Sequence, residues 1–164
     1  MPGRVTKYDP QFRDKDRGYT LEDWISVSDI GKYYRGKQFL WDDYIATEDA
    51  YVKAALLFLN SRSCKQVILR EVENYIDLSR ESSLGYAKEL AEQFINVKSG
   101  QVMDIGEVDA VVRAILREVF WGTIEAVDLN ARIYFGYDYY MYFKPASAVD
   151  ELEDQIKGLG LFVG

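Results

Sequence analysis

The segment Trp121–Phe143 reads WGTIEAVDLNARIYFGYDYYMYF, and within it the apolar period changes from 3.6 to two. Period two is the mark of a pleated strand, because successive side chains leave opposite faces. Gly122–Val127, Ala131–Phe135 and Tyr137–Phe143 are predicted as three short strands, with Asp128-Leu129-Asn130 as a turn. Strands that follow one another through tight turns pair antiparallel, so this region is predicted to be a β-meander ended by Pro145.

Upstream of the meander, Val108, Val111, Val112, Ile115, Val119 and Phe120 recur at helical spacing behind Asp104-Ile105-Gly106-Glu107, which has the form of a capping box. This is the best-patterned helix and should pack centrally. Ser83 caps a predicted helix to about Asn96, and Gln66–Tyr75 reads as a strand in which Val67, Leu69 and Glu71 alternate with Ile68, Arg70 and Val72. A longer helix is predicted from Trp41 to Leu59. Ile45, Val52, Ala55, Leu56 and Leu59 form its apolar face, and Tyr44, Tyr51 and Phe58 a flanking row. Thr20-Leu21-Glu22-Asp23-Trp24 has the form of a helix start, and residues 1–19 read as irregular. After Pro145, Ser147 begins a short acidic helix to Lys157; Gly158 and Gly160 stop it, and Leu161-Phe162-Val163 suits an edge strand. The predicted architecture is α+β, with about four helices packed on a small, mainly antiparallel sheet, and 1–164 forming a single domain.

Composition narrows the chemistry. A chain of 164 residues with 48% apolar and 29% charged residues can fold around its own core without staples. Cys64 is alone, so no internal disulfide forms, and the absence of histidine removes the commonest general base and metal ligand together. No cofactor or metal is therefore expected. The start of the chain has no apolar signal-like run, and the longest apolar stretch, Ala54–Leu59, is too short to span a bilayer; a cytoplasmic protein is expected. A net charge of −7 repels nucleic acid and favours a basic protein partner.

Two groups stand out as candidate binding residues. Asp42, Asp43, Glu48 and Asp49 crowd the first half of the long helix, where carboxylates also complement the helix dipole. In the Tyr-rich strand, alternation places Tyr137, Tyr139, Met141 and Phe143 on one face and Asp138, Tyr140 and Tyr142 on the other, as candidates for aromatic anchors at a surface. Packing is the plainer account of the tyrosines, and solvation or capping that of the carboxylates. Cys64 lies between Arg62 and Lys65 but reads as a semi-buried structural thiol.

The stretches Tyr19-Thr20-Leu21-Glu22-Asp23-Trp24-Ile25-Ser26-Val27-Ser28-Asp29-Ile30-Gly31-Lys32, Tyr44 with Glu48-Asp49-Ala50-Tyr51, Phe135-Gly136-Tyr137-Asp138-Tyr139-Tyr140-Met141-Tyr142 and Gly160-Leu161-Phe162-Val163 are considered together. Over residues 8–163 the chain resembles small bacterial immunity proteins, the partners of polymorphic toxins of contact-dependent growth inhibition. The resemblance implies a cytoplasmic inhibitor that binds a cognate toxin C-terminal domain and covers its active site. Many such toxins are nucleases with basic substrate-binding surfaces. It carries over no catalytic residue. Two other readings stand beside it. One is a small enzyme using carboxylates and tyrosines with an external metal or cofactor, which requires Asp42 or Glu48 to converge with a tyrosine in a deep pocket. The other is a self-associating domain that buries a strand edge or its Tyr face in a dimer.

Overall fold

A computed structural model describes residues 3–16, 18–79 and 85–164. One seven-stranded sheet runs in the order β5-β4-β6-β7-β8-β1-β9, with every neighbouring pair antiparallel. Its strands are β1 (Gly3–Thr6), β4 (Gln66–Asn74), β5 (Val102–Asp104), β6 (Phe120–Ala126), β7 (Arg132–Phe135), β8 (Tyr140–Lys144) and β9 (Phe162–Val163). A separate hairpin joins β2 (Tyr33–Tyr34) to β3 (Lys37–Gln38). Among the described residues there are four α-helices: α1 (Trp41–Ser61), α2 (Lys88–Gln93), α3 (Val108–Leu116) and α4 (Ala146–Gly158). The α+β architecture with a C-terminal meander is thus as the sequence predicts.

The helices share one face of the sheet. Phe58 of α1 stacks on Phe143 of β8 at 4.5 Å, and Phe94, just past α2, lies 5.3 Å from Phe120 of β6. Burying side chains of this size contributes ~1.5–3 kcal/mol each. At the far side α4 presses on β1 so closely that a Cβ on Gly3 would fall 2.5 Å from Val149 Cγ2. Across the meander Ile124, Ile133, Phe135, Met141 and Phe143 all point into this core. The other face of the sheet holds cross-strand ladders such as Arg70–Thr123 and Tyr134–Tyr142–Arg4. Residues 8–13 fold over one end of it, where Tyr8 stacks on Tyr140 at 5.5 Å and Arg13 Nη1 donates to the Tyr140 hydroxyl at 3.0 Å.

Several local expectations change. The N-terminal segment is not irregular throughout: Gly3–Thr6 form β1, inserted between β8 and β9. A four-residue strand is too short to show a period. Residues 20–24 form no α-helix. Asp23 is held instead by Lys7 Nζ at 2.8 Å, while Asp29 accepts from the Ile25 N–H at 2.9 Å and a 3-10 turn follows at Val27–Asp29. The helix predicted from Ser83 has its first two residues outside the described range. It appears as a 3-10 turn, Gly85–Ala87, running into α2. The central helix stops at Leu116, because Glu118 turns left-handed at φ 62° and releases Phe120 into the sheet.

In β4 the expected alternation breaks at a bulge. Arg70 pairs with Thr123 and Glu73 with Trp121, so Glu71 and Val72 together oppose Gly122. Glu71 takes a left-handed φ of 53°, and the phase flips after it, which returns Val72 to the core beside Gly122. The apolar face of Val67 and Leu69 is therefore continued by Val72 in place of Glu71.

Candidate partner-binding surface

The buried side of α1 is centred on the row read as flanking. Tyr44, Tyr51 and Phe58 are fully buried, while Ile45 and Leu56 are only partly so. Glu48 lies one turn from Tyr44 on that same side, so it enters the core with the row. Its carboxylate is 0% exposed, which corrects its placement on a binding surface.

What makes that burial tolerable is a full set of partners. Arg117 approaches Glu48 in parallel, Nε to Oε2 at 2.7 Å and Nη2 to Oε1 at 2.6 Å, and Arg113 Nη1 adds a bond to Oε1 at 2.8 Å. The Tyr44 hydroxyl donates to Oε2, and the Tyr139 hydroxyl in turn lies 2.6 Å from that of Tyr44. Desolvation, then the charge of Glu48, pushes the Tyr44 hydroxyl's pKa well above its ordinary value. For Tyr139, desolvation and the neighbouring Tyr44 do the same. Burial works to lower the Arg113 pKa, but its bonds to Asp109, Glu48 and Asp49 outweigh it and the net direction is up. A carboxylate does converge with tyrosines here, yet every lone pair is engaged and neither Glu48 nor Tyr44 has exposed surface. The arrangement ties α1, α3 and the β7–β8 turn together.

The remaining candidates separate into two places. Asp42 is exposed on the first turn of α1. Asp43 accepts from the Leu40 N–H at 3.0 Å and so closes the helix end, with Lys37 at 3.6 Å. Asp49 is 43% exposed and pairs with Arg113 at 2.7 Å. Tyr140 and Tyr142 are half-buried on the sheet's outer face, as alternation predicts for β8. Tyr137, Asp138 and Tyr139 precede the strand rather than belong to it. Asp138 and Tyr139 are left-handed at φ 59° and 69°, which leaves Tyr137 91% exposed while Tyr139 turns inward. The Asp138 carbonyl accepts from the Tyr8 hydroxyl at 2.6 Å, and its carboxylate is exposed. The acidic and tyrosine candidates thus do not converge on one patch.

The acidic surface is larger than α1 alone. Neighbouring α1 and α4 together carry eight carboxylates; Glu48 is buried between its arginines, and Asp43, Asp49 and Glu153 pair with Lys37, Arg113 and Lys157, which leaves four. Asp42, Asp150, Glu151 and Asp154 are exposed along them. The cations Arg4, Arg70, Arg132 and Lys144 rise instead from the opposite, sheet side. The α4 contribution is legible as four acidic residues in Asp150–Asp154, but its adjacency to α1 depends on the chain path.

Cys64 is buried, its thiol donates to the Gln66 carbonyl at 3.1 Å, and burial pushes its pKa up. No helix among the described residues is long and apolar enough to cross a membrane. No family model, no curated protein and no solved structure matches the chain.

Proposed function

We infer that the chain is a binding protein that neutralises a cognate toxin domain by covering its active site, and that the acidic outer side of α1 and α4 docks on it. The observation that carries this reading is the row of exposed carboxylates without ion-pair partners among the described residues, Asp42, Asp150, Glu151 and Asp154, on two adjacent helices, with Arg4, Arg70, Arg132 and Lys144 on the sheet side. Segregation of this kind gives a directed field. It accelerates encounter with a basic surface. A toxin that acts on nucleic acid presents such a basic surface, which the carboxylates of Asp42, Asp150, Glu151 and Asp154 match in charge. The chain then acts in the cytoplasm, where the toxin would otherwise reach its substrate.

The test is a growth rescue. The reading expects a toxin domain to be encoded beside this chain, and that domain is expressed in a laboratory bacterium with and without it. Rescue by the wild-type chain, and its loss in Asp42→Lys/Asp150→Lys/Asp154→Lys with the circular dichroism spectrum intact, is expected. Absence of rescue by the wild type sinks the immunity reading; full rescue by the charge-reversed variant sinks the docking side.

A further inference from the structure

At the end of the sheet where β6 meets the β7–β8 turn, two adjoining cavities of about 380 and 410 Å³ share Tyr75, Trp121, Phe135, Gly136 and Tyr137 as walls. Their aromatic surfaces are open: Tyr75 is 53% exposed, Tyr137 is 91% exposed, and Trp121 is half-buried with its indole N–H held by the Phe135 carbonyl at 3.1 Å. Three carboxylates line the same space. Glu118 and Asp138 border the first cavity and Glu73 the second. All three are exposed, and none has an ion-pair partner among the described residues. Glu118 and Glu73 lie near enough to the Tyr75 hydroxyl to raise its pKa, behind burial as the larger cause. The cation next in sequence, Arg117, is spent on Glu48 and on the Tyr86 carbonyl.

Exposed aromatic faces surrounded by unneutralised carboxylates recognise one ligand class. The negative face of each ring attracts a cation, and the carboxylates add charge and hydrogen-bond acceptors. Acceptors distinguish among cations. A quaternary ammonium has no N–H to give them, whereas a guanidinium stacks flat on an aromatic ring while its edge donates to a carboxylate. One wall is fixed in place: Trp121 is pinned by its indole bond, while Glu118 and Asp138 rise from left-handed backbone at φ 62° and 59°. A cavity of this size takes a side chain together with part of its backbone.

We propose that the groove between Tyr75, Trp121 and Tyr137 is an arginine-binding site, which receives a guanidinium side chain of the protein partner. This deepens the binding reading given above and rests on it for the source of the arginine; the pocket itself is tested without any toxin.

The probe is N-acetyl-arginine amide, titrated into the ¹⁵N-labelled full chain while the Trp121 indole cross-peak is followed, assigned with Trp121→Phe. A saturable shift is expected. The neutral isostere N-acetyl-citrulline amide should bind at least about tenfold more weakly, and Glu118→Gln/Asp138→Asn should weaken arginine amide by about tenfold as well. Equal binding of the citrulline compound, or no shift of Trp121, overturns the site. Tetramethylammonium binding as well as arginine amide overturns the guanidinium assignment. Free arginine, whose own carboxylate faces Glu118 and Asp138, should bind more weakly than the amide; tighter binding makes the ligand a free amino acid and overturns the partner's side chain. None of these outcomes depends on the growth rescue, so the failure of one reading is separable from the failure of the other.

Discussion

Arg117 grips Glu48 with two parallel hydrogen bonds, Nε to Oε2 at 2.7 Å and Nη2 to Oε1 at 2.6 Å, across 69 residues of sequence. Removing a buried carboxylate from such a set leaves its arginines uncompensated, at a cost of about 3–5 kcal/mol. Glu48→Met is expected to lose this much in urea denaturation. Glu48→Met/Arg117→Met should lose less than the sum of the two single changes, because Arg113 still has Asp109 at 2.7 Å and Asp49 at 2.7 Å. Strict additivity would show that the two side chains are not coupled.

Alkali should unfold the protein through its tyrosines. Burial is the first cause that raises Tyr8, Tyr44, Tyr51 and Tyr139 above their ordinary value, and it outweighs the Lys7 N–H bond at Tyr51 and the Tyr139 hydroxyl and Arg117 at Tyr44, which act the other way. A group with a raised folded pKa keeps its proton in the native state after the unfolded chain has released it. Stability is therefore whole below the unfolded value of about 10 and falls as pH climbs beyond it. Tyrosinate absorbance and far-ultraviolet circular dichroism should change together in one cooperative step above that pH. Complete tyrosine ionisation near pH 10 in a protein that stays folded would refute the burial argument.

How much of this was legible depended on the range of the interaction. The meander was readable because alternation is local, and from Tyr140 to Phe143 it sorted the faces as observed. It misplaced Tyr137, which is exposed, and extended the strand over residues 137–139, because two consecutive left-handed residues, Asp138 and Tyr139, stop the pleat; Tyr139 still turns into the core with Met141 and Phe143. Glu48 was misread because its arginines lie 65 and 69 residues away. The available signal was its place between Tyr44 and Tyr51 on one helix side, had that row been taken as the core. The arginine groove gathers Tyr75, Glu118, Trp121 and Asp138 from separate turns and strands, a meeting that only the sheet order creates.

Glu71 offers a direct check of the bulge. Its φ of 53° is a conformation that costs a side-chain-bearing residue about 1–2 kcal/mol, and glycine adopts it freely. Glu71→Gly should leave stability unchanged or raise it by up to about 1 kcal/mol, since glycine's greater unfolded-state entropy offsets part of the relief. Glu71→Val should lower it by more than that, because a β-branched residue tolerates the conformation worst. If valine is accepted as well as glycine in thermal or urea unfolding, the backbone at this position is not left-handed.

The approach of α4 to β1 makes the last prediction quantitative. A Cβ at Gly3 would sit 2.5 Å from Val149 Cγ2 and 2.8 Å from Val149 Cβ, with Ala146 Cα at 3.4 Å. Those atoms belong to a packed helix, so they cannot swing aside as the end of a flexible side chain would. Gly3→Ala should therefore cost about 1–3 kcal/mol by overpacking, although alanine is otherwise the easier residue to order in a strand. Val149→Ala alone opens a small cavity and costs about 1 kcal/mol or more. In the double variant the new methyl group moves into the space that Val149 Cγ2 vacates, while the contact with Cβ remains. The pair should lose less than the sum of the two single changes, without returning to wild type. Additive losses in urea denaturation would mean that α4 does not rest on Gly3.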